Sequence, residues 1–446
     1  MYNALGGLGG SGQIDSTVAA NATVALLAAT AVTALFFVGP IFDLIGPRWC
    51  WFAGGWTYAL YSGALLCYNR IPPSPFSFPQ SLITDQPPDT KNAGFVIGSG
   101  AILGIGASFL WIAQGAIMTT YVPESQKGRA IAVFWIIFNL GGSVGSFVSL
   151  GLNYHSKAGT VSNSTYIAII VIMAFGWLLG VFICSPRAVR MPQLEVEEGG
   201  FKGREVVRLW GTTMLNWRVA CMLPLFFCAN VFYSYQQNSV NGKSFTLRTR
   251  SLNGALYWFA QIFGGLFIGL ILDFPKVSRP NRARIGWVIL FVTGMAIWGG
   301  GYAFQVLENR RLTKGLKQDI DFDNPKLFVG PMFLYIFYGM YDALWQGFCY
   351  WIIGAESNRA AVTAVLVGAY KTFQATGGAM AWRINALNKP ALTQLYMNWG
   401  LSVGALLIAL PMVWTVSETS VHEVEGVEEQ KVEFEEKDAA EGVGKV

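Results

Sequence analysis

Eleven apolar runs of roughly bilayer-spanning length divide most of this chain, and they constrain its fold more than any other feature. A membrane-spanning α-helix needs about 20 apolar residues, whereas a membrane β-strand needs only about 10 and alternates apolar with polar positions. Helices also satisfy their own backbone hydrogen bonds, which lipid cannot do. The pattern therefore predicts an all-α, polytopic membrane protein with helices at 17–38, 50–67, 94–119, 130–152, 165–184, 219–235, 252–272, 285–305, 328–350, 360–382 and 394–415.

The charge content of the chain is too low for a soluble protein. Charged residues make up 13% of the 446 residues and hydrophobic residues 53%, while an ordinary soluble domain carries about a quarter charged residues. Much of the surface must therefore face a lipid bilayer. The basic residues lie in short loops rather than in a stripe with interleaved aromatics, so we expect no nucleic-acid partner. The sequence has no evident nucleophile with a base, paired acid and base, or metal cluster, so we expect neither an enzyme nor a cofactor or metal.

Three long connections organise the chain. Residues 68–93 are rich in proline, residues 185–216 are basic, and residues 306–327 are charged. The middle connection separates five apolar runs from six, so it is the natural boundary between two halves. We expect an N-terminal helical bundle at 1–184, a basic cytosolic linker at 185–216, a C-terminal six-helix bundle at 217–415 and an acidic, disordered tail at 416–446.

An internal repeat supports this division. Asp43 and Asp273 each follow an apolar run, Arg129 and Arg359 each open one, and the two pairs have the same separation along the chain. Equal offsets fit two parallel halves, as in one large class of transporters. In this register the counterpart of the run at 219–235 would begin before the first residue. We therefore expect a twelve-helix architecture with a truncated first helix.

The segment between the first two apolar runs carries a pattern of glycine, aspartate and arginine. Gly39, Asp43, Gly46 and Arg48 combine the freedom of a tight turn with charges that hold helix ends together. This pattern resembles the signature loop of the major facilitator superfamily, where the loop is a conformational latch. Asp273 is the corresponding residue in the second half. The alternative is an ordinary turn at the membrane face, and neither interpretation is catalytic.

Two charged residues lie inside apolar runs, where insertion costs roughly 2.5–3.5 kcal/mol each. Asp342 and Lys371 occupy consecutive, antiparallel runs at depths that differ by about 5 Å, so we predict that both face the bundle interior, within reach of each other as a pair. Gln346 and Gln374 lie one helical turn further along the same faces. These four residues are the candidate site for a substrate or coupling ion, and a charge pair that only fixes helix packing is the alternative.

The orientation of the chain in the membrane stays open. If the acidic tail is cytosolic, thirteen Lys and Arg residues fall on each side, so the positive-inside rule gives no answer. In that orientation Asn163, in the pattern Asn-Ser-Thr, lies in a non-cytosolic loop and is a candidate N-glycosylation site.

Five stretches carry a family resemblance that runs from residue 2 to about 415. They are YNALGGLGG at 2–10, KGR at 127–129 followed by FWIIFNLG at 134–141, RTRSLN at 248–253, DALWQ at 342–346 and YKTFQ at 370–374. In order and spacing they resemble the Unc-ninety-three-like family, a branch of the major facilitator superfamily. The resemblance implies twelve helices in two six-helix halves around a central cavity. Members are generally described as transporters, and others are named for regulating ion channels or escorting partner membrane proteins.

Two functions therefore remain open. The first is a secondary transporter that moves a small solute or ion by alternating access, with two bundles rocking about a midplane site. The second is a non-transporting regulatory or trafficking subunit that binds another membrane protein, such as an ion channel. The truncated first helix counts against transport, because its inner face would help to build the cavity.

Overall fold

Long helices form nearly all of the computed structural model, which describes residues 1–13, 16–36, 38–70, 93–120, 127–155, 160–184, 208, 211–356 and 360–418. A short helix, α1 (Tyr2–Gly7), comes first. The long helices are α2 (Ser16–Phe36), α3 (Val38–Arg70), α4 (Ala93–Thr120), α5 (Lys127–Asn153), α6 (Asn163–Leu178), α7 (Trp217–Gly242), α8 (Leu247–Leu272), α9 (Arg279–Thr313), α10 (Pro325–Glu356), α11 (Ala360–Ala386) and α12 (Ala391–Trp414). Each apolar run expected from the sequence corresponds to one of them.

Most of these helices meet the requirements for crossing a membrane. Within the described residues nine are long and apolar enough to do so, and the remaining long helices are α3 and α11. Large apolar side chains point outward from the bundle, among them Ile137 of α5, which is 65% exposed, and Leu270 of α8, which is 73% exposed. Such faces are stable against lipid rather than water. The prediction of an all-α, polytopic fold is confirmed, and the protein is an integral, multi-pass membrane protein.

Ordinary capping chemistry marks several helix ends. The side chain of Asn216 accepts a hydrogen bond of 2.9 Å from the backbone N–H of Arg218 at the start of α7, which satisfies a donor that has no partner within the helix. Pro280 lies in the first turn of α9, where its missing N–H costs nothing. Arg310 and Arg311 lie in the last turn of α9, where positive charge favours the helix dipole.

The long helices pack as two groups. In the first group α4 packs against α2 and α3, and α3 packs against α6, while α7 to α12 form the second group. Between the groups, α5 packs against α8 and α2 against α11. The starts of α2, α4 and α5 recur, at a nearly constant separation along the chain, as the starts of α8, α10 and α11. This spacing supports two related halves. The division into halves and the domain boundaries expected from the sequence stay predictions. Most of the linker at 185–216, and the tail beyond residue 418, lie outside the described residues.

Two glycines bring helices close together around the candidate site. A Cβ on Gly339 of α10 would overlap the carbonyl oxygen of Tyr257 on α8, and a Cβ on Gly377 of α11 would overlap that of Phe227 on α7. Small residues at such contacts let helix backbones approach. The first contact brings α8 beside Asp342, which lies one turn beyond Gly339, and the second brings α7 beside α11.

Candidate functional site

Asp342 of α10 lies at the centre of a buried polar cluster, and its side chain is fully buried. Gln346 donates a hydrogen bond of 2.7 Å to its Oδ1. Two side chains donate to its Oδ2, Gln261 of α8 at 2.6 Å and Tyr233 of α7 at 2.5 Å. The hydroxyl of Tyr257 on α8 lies 3.4 Å from the same oxygen and donates its proton to Gln236 at 2.9 Å. A carboxylate removed from water requires such donors. Asp342 therefore faces the interior of the bundle, as its sequence context predicts.

Lys371 of α11 is half-buried among aromatic rings. Its Nζ donates a hydrogen bond of 3.1 Å to Oε1 of Gln374. The same nitrogen lies 4.9 Å from the ring centre of Trp111, 5.1 Å from that of Tyr370 and 5.5 Å from that of Tyr350. The negative faces of aromatic rings attract a cation. The ammonium group is therefore held by ring faces and one neutral amide.

Two glutamines join the candidate charges in place of a direct ion pair. Gln374 Nε2 donates to Oε1 of Gln346 at 3.3 Å, and Gln346 Nε2 donates to Asp342 at 2.7 Å. Among the described residues no carboxylate lies within 4.0 Å of Lys371 Nζ, so the expectation of direct pairing is wrong. The four predicted site residues nevertheless form one hydrogen-bonded chain, because each glutamine shares a helix face with its charged neighbour.

A cavity of about 1220 Å³ lies between the two groups of helices and reaches this chain. The cavity is lined by Gln346, Lys371, Gln374 and Tyr233. Asp342 is not part of the lining and connects to the cavity through its hydrogen bonds with Gln346 and Tyr233. Most of the remaining lining is apolar, and it comes from both groups of helices. A largely apolar concave pocket with a few convergent polar groups is typical of a small-molecule binding site.

Hydrogen bonds join α1 and the turn that follows it to the end of α7. The backbone N–H of Gly10 donates to Oδ1 of Asn238 at 2.7 Å, and Nδ2 of Asn241 donates to the carbonyl oxygen of Gly7 at 2.7 Å. Both asparagines are buried and lie in the last turns of α7, which form a π-helix. The cavity lining extends to this region at Ser11. These bonds therefore hold α1 and the turn after it against α7 beside the cavity.

The segment expected to act as a conformational latch, residues 39–48, is described around a break in α3. Gly46 has φ 77° and ψ 171°, a conformation that favours glycine. Arg48 donates a hydrogen bond of 2.7 Å to the carbonyl oxygen of Ile183, beyond the end of α6. Asp273 is exposed at the C-terminus of α8. The surroundings of Gly39 and Asp43 lie outside the described part, and the latch role stays a prediction.

Asn163 is the first residue of α6, and its side chain is exposed. This position suits an acceptor for a bulky, solvated glycan. Its glycosylation stays a prediction.

Sequence reasoning missed the two tyrosines beside Asp342. Tyr233 and Tyr257 lie in apolar runs where aromatic residues are common, so nothing marks them until α7, α8 and α10 pack together. Gln261 carries one readable signal, because it is a polar residue inside an apolar run.

Comparison with known proteins gives a consistent family. The family model of the Major Facilitator Superfamily matches residues 2–382. A UNC93-like protein of Schizosaccharomyces pombe is 39% identical over 433 residues, which cover 96% of this chain and 81% of that protein. UNC93-like protein 1 of Arabidopsis thaliana is 37% identical over 422 residues, which cover 93% and 86% of the two chains.

Solved structures show the same fold. A partially occluded, inward-open structure of the xylose transporter XylE from E. coli superposes with a TM-score of 0.59 at 13% identity, covering 94% of this chain and 97% of that one. A D-xylose–proton symporter gives a TM-score of 0.58 at 15% identity, with the same coverage of both chains. At such identities the likeness concerns architecture, and the substrate of those proteins does not transfer to this chain.

Proposed function

This chain belongs to the Major Facilitator Superfamily, among its UNC93-like members, and we propose that it is a secondary transporter that moves a small solute or ion by alternating access. The observation that carries the proposal is the cavity between the two groups of helices, with the chain Lys371–Gln374–Gln346–Asp342 at its wall. Its architecture is transporter-like, as the superposition on the xylose transporter indicates.

The energetics of the buried charges support a functional role. A charge inside a membrane bundle costs roughly 2.5–3.5 kcal/mol on insertion scales. A pair that served only packing would recover most energy through direct contact, because attraction falls with distance. Here two neutral glutamines separate Asp342 from Lys371. Both charges therefore keep the capacity to exchange partners, which a transport site needs.

The packing of the two groups supports the rocking mechanism. They meet through α5 against α8 and through α2 against α11, and all four of these helices contribute residues to the cavity lining. Tilting about these contacts would open the cavity first to one side of the membrane and then to the other. All four site residues lie in the second group, so their hydrogen-bonded chain moves as a unit.

We also propose that the protein catalyses no chemical reaction. Neither the fold nor the family implies one. In the part of the chain that the structure describes, no group of three or more His, Cys, Asp or Glu side chains is placed to hold a catalytic metal.

The experiment is an uptake screen with sealed vesicles from cells that express the chain. A metabolite mixture is added, and mass spectrometry identifies solutes that accumulate in wild-type vesicles. Lys371→Met and Asp342→Asn should each reduce that accumulation, while Lys314→Met and Asp319→Asn, which alter exposed loop charges of the same types, should leave it unchanged.

Two results contradict the proposal at different levels. Wild-type accumulation in both site variants, at equal protein levels, removes the site assignment. A wild-type chain that moves no solute, yet co-purifies with another membrane protein in stoichiometric amount, supports the regulatory or trafficking function instead.

A further inference from the structure

We propose that the cavity binds an organic anion with an apolar or aromatic body, its anionic group on Lys371. This inference rests on the transport function proposed above and names the chemical class of its substrate.

The charge of the cavity favours an anion. Lys371 is the only charged side chain among the described residues that line it. An ammonium group has three donors, and here one hydrogen bond, to Gln374, is formed. The other donors meet the ring faces of Trp111, Tyr350 and Tyr370. A carboxylate in the cavity would accept from these donors directly, with a charge-assisted hydrogen bond.

A cation is disfavoured at the same place. It would meet the positive Lys371 at the cavity wall, whereas Asp342 is withdrawn from the lining and has both oxygens engaged by neutral donors. A cation would have to displace those donors before it met a carboxylate.

The walls beside Lys371 suit an apolar or aromatic body. Trp111 packs against Phe138 with ring centres 5.2 Å apart and against Phe134 at 6.2 Å, and all three side chains line the cavity. Aromatic rings prefer such offset or edge-to-face partners, so a ligand ring would extend the cluster. A polyhydroxylated sugar would need convergent polar groups at this wall, where Trp111, Phe134 and Phe138 present aromatic faces.

The two parts of the ligand would contact different groups of helices. Trp111 and Phe138 belong to α4 and α5, whereas Lys371 belongs to α11. The ligand would therefore bridge the two groups at the point where they must move apart. Its binding energy would favour one arrangement of the groups over another, as alternating access requires.

The test uses the purified 446-residue chain in detergent and three probes with one ring system. These are 2-naphthoate, the neutral 2-naphthamide and the cationic 2-naphthylmethylammonium, measured by equilibrium dialysis. We expect the wild type to bind naphthoate about tenfold more tightly than naphthamide, the size of one charge-assisted hydrogen bond, and to bind the cation least. This comparison needs no variant, so it does not depend on mutant folding.

Variants then locate the preference. Lys371→Met should weaken naphthoate binding to the level of naphthamide and leave naphthamide binding unchanged. Lys371→Arg should retain the preference, and the exposed-loop control Lys314→Met should behave as wild type.

Equal affinity for the anion and the amide, tighter binding of the cation, binding of none of the probes, or a preference that survives Lys371→Met would each overturn the inference. Binding and transport fail separately. Anion-selective binding with no flux in vesicles supports the ligand class and removes the transport proposal. Flux of a neutral or cationic solute in the uptake screen keeps transport and removes the anion.

Discussion

Replacement of Asp342 tests the hydrogen-bond description of the buried cluster. In Asp342→Leu the donors on Gln346, Gln261 and Tyr233 lose their acceptor, whereas the Tyr257 hydroxyl keeps its bond of 2.9 Å to Gln236. A buried donor left without a partner costs roughly 1–3 kcal/mol. Because neighbouring losses are not additive and the Tyr233 hydroxyl can rotate, we expect the three losses together to lower the free energy of unfolding by about 4 kcal/mol.

Asparagine at the same position retains one acceptor oxygen. If that oxygen serves the two donors at Oδ2, the new amide group faces Nε2 of Gln346, and one hydrogen bond is lost. We expect a destabilisation of about 1–2 kcal/mol, well below that of leucine.

The assay is equilibrium unfolding in mixed micelles, followed by tryptophan fluorescence, with Asp319→Leu and Asp319→Asn as controls in an exposed loop. An Asp342→Leu variant within about 0.5 kcal/mol of wild type, the range of ordinary surface substitutions, would refute the reasoning. So would an asparagine variant that is less stable than the leucine variant.

Three further predictions concern positions outside this cluster. Arg248 donates to both carboxylate oxygens of Asp321 at 2.9 Å. Burial raises the pKa of the Asp321 carboxyl, but the hydrogen bonds from Arg248 and its neighbours lower it more. The pKa of Asp321 therefore lies below its usual value. The stability that this ion pair contributes is present above about pH 4 and is lost as the pH falls through the lowered pKa. Asp321→Asn should therefore lower the free energy of unfolding by about 1 kcal/mol at pH 7, and by progressively less when unfolding is measured below pH 4. Gly339→Ala should lower the free energy of unfolding by about 1–3 kcal/mol, because the new Cβ overlaps a backbone carbonyl of α8. The control is Gly330→Ala on the same helix, where a Cβ meets open space and the free energy of unfolding should not change. Equal effects of the two substitutions would contradict the packing argument. Wild-type protein from a eukaryotic host should lose mass on treatment with an N-glycosidase, and the Asn163→Gln variant should not. An unchanged wild-type mass would contradict glycosylation at Asn163, either because the loop that carries it is cytosolic or because the site is unused.

The helices were readable from the sequence because their signal is local. A run of about 20 apolar residues predicts a spanning helix whatever its neighbours are, and each of the eleven runs corresponds to a helix. The four candidate residues were readable for the same reason, since a charge or amide inside an apolar run is conspicuous. Their order along α10 and α11 follows from helical spacing alone.

The partners of those residues were not readable because they depend on packing. The constant rise of an α-helix gives the depth of Asp342 and Lys371 along the helix axes, but not the direction in which each side chain points. Lys371 points toward Trp111 of α4, and Asp342 points toward Tyr233 and Gln261. The similar depths of Asp342 and Lys371 along their helices therefore did not bring the two side chains into a direct ion pair.

The placement of the two charges separates two tasks within the proposed mechanism. Asp342 is bonded within the second group of helices, to α7, α8 and α10, so relative motion of the two groups leaves its contacts intact. Lys371 lies at the boundary, because its ammonium group contacts Trp111 of the first group. Motion of the groups changes the surroundings of Lys371, and the two glutamines connect Lys371 to Asp342. A ligand held by Lys371 and a proton held at Asp342 would thus be linked through one hydrogen-bonded chain, which a direct ion pair between the two residues would not provide.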